Sequence, residues 1–217
     1  MINPDISATI WENLYSQGKS LLNYPNSFLV SLSYHLLELQ KHRRVLDFGF
    51  GSGANLVFLV HRGFEVSGVE VSKSAVEMVR QKLLAENLEA DLRTIHNRVI
   101  PFDDNSFDAV IAWQVLCYNT WETLKKAIEE IDRVLKPGGL FLGTMAAPGD
   151  ASHVRSKLLG DSLYESQISG QEGAIILIVG EEELSRCFPG KNIKIGSFNQ
   201  SYEGLLDSRH WVISYEK

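Results

Sequence analysis

A chain of 217 residues, 44% of them apolar, is long and apolar enough to bury the core of an ordinary to large globular unit, and one domain over 1–217 is the expectation. Its 21 basic and 27 acidic residues leave a formal charge of −6, which argues against broad attraction to nucleic acid or an anionic membrane. Cys117 and Cys187 stand too far apart for a disulfide framework or a closely spaced metal-ligand pattern. With no leader-like start and no run of about 18 apolar residues, a cytoplasmic protein without a membrane partner is expected.

Ile6, Ile10 and Leu14, with Trp11 and Tyr15 beside them, predict an amphipathic helix over 5–17, ended by Gly18. Phe28, Leu32, Leu36 and Leu39 mark one face of a second helix. The segment RRVLDFGFGSGA, residues 43–54, reads as a strand that ends in a glycine turn and feeds a helix over 55–61. Glycines at 49, 51 and 53 allow positive φ and a close approach of ligand to the main chain, while the first helical turn leaves N–H groups unpaired. Such a place binds ligands. Gly49-x-Gly51-x-x-Ala54 also satisfies the dinucleotide fingerprint.

Phe64 to Val71 predicts a second strand ending near Glu70, 23 residues after Asp47. An acidic residue so placed can accept hydrogen bonds from both hydroxyls of a ribose. Ser72, or Ser74 with Glu77, caps the next helix, whose buried face is Ala75, Val79 and Leu83. Leu88–Ile95 and Phe107–Trp113 read as the third and fourth strands, with Asp108 a structural residue at the strand start. Asn119 with Glu122 can cap a helix buried along Leu124, Ile128, Ile131 and Leu135. Pro137 stops it, Gly138 and Gly139 turn the chain, and a fifth strand begins at Leu140. Residues 146–180 carry one apolar run, 174–179, that reads as a short strand or a lid edge. A helix from Glu181 and strands over 193–202 and 209–215 complete the chain.

Three stretches together carry a resemblance: Asp47-x-Gly49-x-Gly51-x-Gly53, Ile100-Pro-Phe-Asp-Asp-Asn-Ser-Phe-Asp108, and Arg133-Val-Leu-Lys-Pro-Gly-Gly139-Leu-Phe-Leu. Over residues 43–145 the chain resembles the class I S-adenosylmethionine (SAM) dependent methyltransferases. The resemblance implies an α/β, doubly wound, Rossmann-like sheet of seven strands in the order 3-2-1-4-5-7-6 with strand 7 antiparallel. It further implies a helical cover over 1–41, a substrate-specificity insert over 146–180, SAM as cofactor and S-adenosylhomocysteine as product. Asp47 would receive the ammonium of the methionine moiety, whereas beside a pyrophosphate it would repel. The implied cofactor-binding residues are Asp47, Gly49, Phe50, Gly51, Gly53, Asn55, Glu70, Val71, Asn97, Arg98, Trp113, Gln114 and Leu116.

His96 stands where many relatives carry an adenine-binding aspartate, which leaves adenine to an amide side chain or the main chain of 97–99. Trp11, Tyr15 and Tyr24 are either lid or packing residues; Cys117 and Tyr118 could face the acceptor, with Cys117 read as an ordinary buried thiol. The expected partner is a small-molecule methyl acceptor, with oxygen, nitrogen and sulfur left open, and no nucleic acid, since the NPPY motif of amino-methylating enzymes is missing. No metal site and no catalytic residue is assigned. His153, His210, Tyr118 and Asp103 are side-chain types that could serve as a base, and His153, Arg155 and Lys157 either meet an anionic acceptor or form a solvated turn. An NAD(P)-dependent oxidoreductase and a noncatalytic SAM-binding protein are the alternatives.

Overall fold

A computed structural model describes residues 3, 5–96, 98–202 and 206–217. Two helices, α1 (Ile6–Ser16) and α2 (Ser27–Leu36), precede the alternating part: β1 (Arg44–Phe48), α3 (Ala54–His61), β2 (Glu65–Glu70), α4 (Lys73–Ala85), β3 (Asp91–Thr94), β4 (Phe107–Ala112), α5 (Trp121–Val134) and β5 (Leu135–Ala146). There follow α6 (Ala151–Val154), three short strands β6 (Ser156–Gly160), β7 (Leu163–Ser166) and β8 (Ile175–Leu177), a 3-10 turn (Glu181–Glu183) running into α7 (Leu184–Cys187), and the long pair β9 (Lys194–Tyr202) and β10 (Leu206–Glu216).

The main sheet has the order β3-β2-β1-β4-β5-β10-β9. Pairs among β1 to β5 are parallel, and β10 runs antiparallel between β5 and β9. This is the doubly wound, Rossmann-like sheet implied by the resemblance, with β9 and β10 as its sixth and seventh strands. Alternation along each strand feeds two cores, as a sheet covered on both faces requires. Val45, Ala109, Ile111 and Leu142 pack with Leu29 of α2, Leu56 and Leu59 of α3, and Val76, Val79 and Leu83 of α4. On the other face Leu46, Val110, Phe141 and Ile213 meet Leu124, Ile128 and Ile131 of α5.

Several local expectations shift. The fully buried positions of the second helix are Leu29 and Ser33, followed by Leu37 just past its end, while Leu39 lies beyond the helix and is exposed. The first helical N–H groups there are taken by the Asn26 side chain. Thr120, not Asn119, caps α5: its Oγ1 accepts the Thr123 N–H, and Thr123 Oγ1 in turn accepts the Thr120 N–H. The fifth strand starts at Leu135 and passes through an irregularity opposite Phe107 and Ala109 before the register of Leu140 with Ala109 is set. Asp108 accepts the Arg44 N–H at 2.8 Å and the Lys136 ammonium at 2.6 Å, the structural part expected of it. Sequence reading missed the antiparallel sheet β6-β7-β8 apart from its last strand, which falls inside the 174–179 run.

Candidate active site

The carboxyl ends of β1, β2, β4 and β5 open on one edge of the sheet, where parallel sheets bind ligands. Gly49, Gly51 and Gly53 all adopt positive φ, at 73°, 53° and 77°. At all three a neighbour also crowds the place of a Cβ, which at Gly53 would lie 2.7 Å from a Val79 methyl. A Cβ at Gly49 would collide with the Val115 side chain, and one at Gly51 would lie 2.6 Å from the Tyr15 hydroxyl.

Two carboxylates flank this turn. Glu70, the last residue of β2, accepts the Gly51 N–H at 3.0 Å, the Val71 N–H at 2.7 Å and the Ser72 N–H at 3.1 Å. Burial raises its pKa, opposed by those three backbone hydrogen bonds. Asp47 is 2% exposed, and its Oδ2 has no hydrogen-bond partner among the described residues. Burial, with the Glu70 charge adding to it, pushes the Asp47 carboxyl up to about 7. A buried acceptor without a donor costs free energy, and a cation supplied by a ligand would relieve it.

The first helix closes over this end. Glu12 accepts from Ser72 Oγ and Ser74 Oγ, both at 2.6 Å, and from the Ser74 N–H at 3.2 Å. Asp5 meets Arg98 at 2.9 Å. Ser7 exchanges hydrogen bonds with the main chain of Ile175, so the same helix also holds the β6-β7-β8 sheet. Trp11 packs edge-on against Tyr118 with ring centres 5.0 Å apart and stacks with Tyr15 at 5.8 Å. Trp11 and Tyr15 thus cover the site; Tyr24, 84% exposed, stands at its rim.

Beneath α1 lies a cavity of about 1240 Å³ that runs from the glycine turn to the β6-β7-β8 insert. Gly49, Phe50, Gly51, Asn55, Glu70, Val71, Arg98, Trp113 and Gln114 line it, as does His96. Asp47 and Gly53 are not among the residues that line it. Leu116 is a correction: it is fully buried in the core under α5 and does not face the cavity, because the turn after β4 points it inward. Asn97 lies outside the described residues.

Of the side chains named as bases, Tyr118 and His210 line the cavity. His153 instead accepts the Gly149 N–H and packs edge-on against Tyr164, and Asp103 is exposed away from the site. Arg155 reaches the cavity, whereas Lys157 does not. Asp150, Gln171, Gln200 and Ser208 line it as well and had no signal in the sequence, since they come from the insert and from strands whose register a single sequence does not reveal.

Burial sets the charge state of the acceptor end. It pushes the Cys117 thiol up to about 12, with the Asp150 charge adding to the effect. Tyr118 is raised well above the usual phenol range by the same cause. His210 is lowered by burial, against the pull of Asp150. The Cys117 thiol, the Tyr118 phenol and the His210 imidazole are therefore all neutral near pH 7.

Residues 45–139 match the family model described as a methyltransferase domain. An uncharacterised methyltransferase of Mycobacterium tuberculosis is 40% identical over 134 residues, covering 60% of this chain and 48% of that protein. The sterol 4-C-methyltransferase of Caenorhabditis elegans is 29% identical over 52% of this chain and 35% of its own length. The chain thus spans about half the length, or less, of these relatives. In fold it is similar to a SAM-dependent methyltransferase of Methanosarcina mazei, with a TM-score of 0.72 at 18% identity over 89% of this chain and 98% of that one. It is also similar to the 1,6-didemethyltoxoflavin-N1-methyltransferase of Burkholderia thailandensis, with a TM-score of 0.69 at 17% identity over 100% of this chain and 91% of that one. The dinucleotide reading of the glycine turn gives way to these findings: residues 45–139 match a methyltransferase domain, Asp47 lies beside the glycine turn within it, and the fold is that of the SAM-dependent methyltransferases.

Proposed function

We propose that the protein transfers a methyl group from SAM to a small-molecule acceptor held under α1, within one domain made of the doubly wound sheet, the helical cover and the insert. The observation that carries this reading is the continuity of the cavity: its walls pass from Gly49, Gly51 and Glu70, through Trp113 and Gln114, to Arg155 and His210. A partly enclosed space beneath a helix suits a ligand that enters whole better than a polymer that must thread through. In the Burkholderia thailandensis structure both 1,6-didemethyltoxoflavin and S-adenosylhomocysteine are bound, and a small acceptor is the corresponding choice here.

The residues fit the cofactor. Asp47, buried with an unpartnered oxygen, suits the ammonium of the methionine moiety. Glu70, already oriented by three backbone N–H groups, suits the two ribose hydroxyls. Val71, His96 and Arg98, which line the cavity, are the candidates to surround adenine, and Trp113 and Gln114 the candidates to border the methionine portion. SAM supplies an electrophilic methyl on a sulfonium; the protein's part is to exclude water and to hold the acceptor in line. Such positioning alone can be worth about 7–11 kcal/mol in favourable cases.

The test is a transfer assay with methyl-labelled SAM and cell extract separated into small-molecule, protein and RNA fractions. Label is expected in the small-molecule fraction. Label confined to protein or RNA, or SAM binding with no transfer to any fraction, contradicts the proposal.

A further inference from the structure

At the end of the cavity away from the glycine turn, two buried titratable side chains face each other with no part in holding the cofactor. His210 lies on β10 opposite Ala146, the last residue of β5, and is 7% exposed. Asp150, 6% exposed, caps α6. Its Oδ1 accepts the Ser152 N–H at 2.8 Å and the Ser152 hydroxyl, and its Oδ2 accepts the Arg209 N–H at 2.8 Å. That Oδ2 stands 3.7 Å from His210 Nδ1, which also lies 3.3 Å from Ser208 Oγ.

The imidazole plane is fixed by stacking. Phe198 lies parallel to it, 5.1 Å away and 3° off, and Trp113 stacks in turn with Phe198 at 5.8 Å and 7°. The Asp150 carboxylate, 3.7 Å from Nδ1 and so beyond hydrogen-bond reach, favours by its charge a proton on Nδ1; Ser208 Oγ at 3.3 Å can accept a hydrogen bond from that proton, which leaves Nε2 its lone pair. Nε2 has no protein partner among the described residues, and His210 is on the cavity wall. The other groups at this end are unfit for the same work. Cys117 and Tyr118 are protonated by burial, and the Arg209 guanidinium lies against Gly149.

From this geometry we propose that His210 is the general base of the methyl transfer, held in its working tautomer by Asp150 as a positioning residue, and that the acceptor is therefore protic: a small molecule with a hydroxyl, phenol or N–H group. The assignment rests on the function proposed above. In the step itself the acceptor proton passes to Nε2. The electron pair it leaves behind forms the bond to the methyl carbon, while the carbon–sulfur pair returns to sulfur. A methylated acceptor, a neutral thioether and an imidazolium opposite Asp150 result. Acceptors without a proton to lose, such as thioethers, tertiary amines and carboxylates, need no such base.

Two measurements test this. In the ligand-free protein, long-range proton–nitrogen correlation spectra of labelled histidine, assigned with His210→Gln, should show a neutral ring protonated at Nδ1 near pH 7. A ring protonated at Nε2 overturns the assignment, since that atom then has no lone pair to offer. With the acceptor identified by the transfer assay, His210→Gln should bind S-adenosylhomocysteine like the wild type, with kcat lowered roughly 10²- to 10⁴-fold and KM for the acceptor little changed. Asp150→Asn should lower kcat less and move the acid limb of the kcat profile to lower pH, because the carboxylate that supports the imidazolium is gone. Equal rates in wild type and His210→Gln overturn the base while the proposed function stands. Transfer to an aprotic acceptor overturns the acceptor class, and a wild type that binds SAM but methylates nothing removes the function and the base together.

Discussion

The Glu12 carboxylate accepts a 2.6 Å hydrogen bond from the Ser72 hydroxyl, so the first helix is fastened two residues beyond Glu70, the proposed ribose ligand. Hydrogen bonds from Ser72 and then Ser74 hold the Glu12 carboxyl below the usual carboxylate range. Opening the site means breaking them. Glu12→Ala should therefore speed SAM release and weaken binding by about 1 kcal/mol, roughly fivefold, as read by stopped-flow fluorescence and calorimetry. Unchanged release rates would show that α1 is not a latch. A depressed carboxylate gives its stability at pH above its unfolded value, so the contribution of Glu12 should vanish as pH falls through the acid range.

Asp47 has the opposite sign. Its carboxyl is raised to about 7, first by burial and then by Glu70, so between roughly pH 4 and 7 the folded chain holds a proton that the unfolded chain has lost. Ligand-free wild type should lose stability relative to Asp47→Asn as pH rises through that window. An ammonium beside the carboxylate favours the ionised form, so the rise in Tm caused by SAM should be larger above pH 7 than below it. A SAM-induced rise that does not vary with pH would count against an ammonium at Asp47.

How much of this was legible depended on whether a residue acts through the local chain or through distant packing. The spacing of Asp47, the glycines and Glu70 gave the sheet edge and the end of it proposed for the cofactor, because a strand–turn–helix unit and the strand after it bring those residues together. Leu116 was misjudged: three residues past Trp113, the chain has turned and the side chain points into the core. His210 could be named as a residue type but not placed, since its position depends on the antiparallel register of β10 against β5. The β6-β7-β8 sheet left almost no pattern, its first strand being largely exposed.

Gly49 and Gly51 should not be equally intolerant. Alanine at either carries the cost of positive φ, roughly 1–2 kcal/mol, but Gly49 faces the branched Val115 while Gly51 faces the tip of Tyr15. Val115 has little rotamer freedom. Gly49→Ala should raise the Kd for SAM more than tenfold, whereas Gly51→Ala should do less harm and be partly rescued by Tyr15→Phe. The reverse order in titration would refute this account of the turn.

Cys117 lines the cavity, yet its thiol is pushed up to about 12. At pH 8 only about one part in ten thousand is thiolate. Alkylation by iodoacetamide should be very slow in the folded protein and become rapid only on denaturation. Fast labelling of Cys117 in the native state would contradict the protonated, buried thiol.

Calorimetric titration of SAM into the wild type, Asp47→Ala and Glu70→Ala bears most directly on the central claim that these two carboxylates hold opposite ends of one nucleoside. Saturable one-to-one binding by the wild type, with at least a tenfold loss in each folded variant, is the predicted result. Wild-type affinity in both variants, or a wild type that binds NADH and ignores SAM, would contradict it.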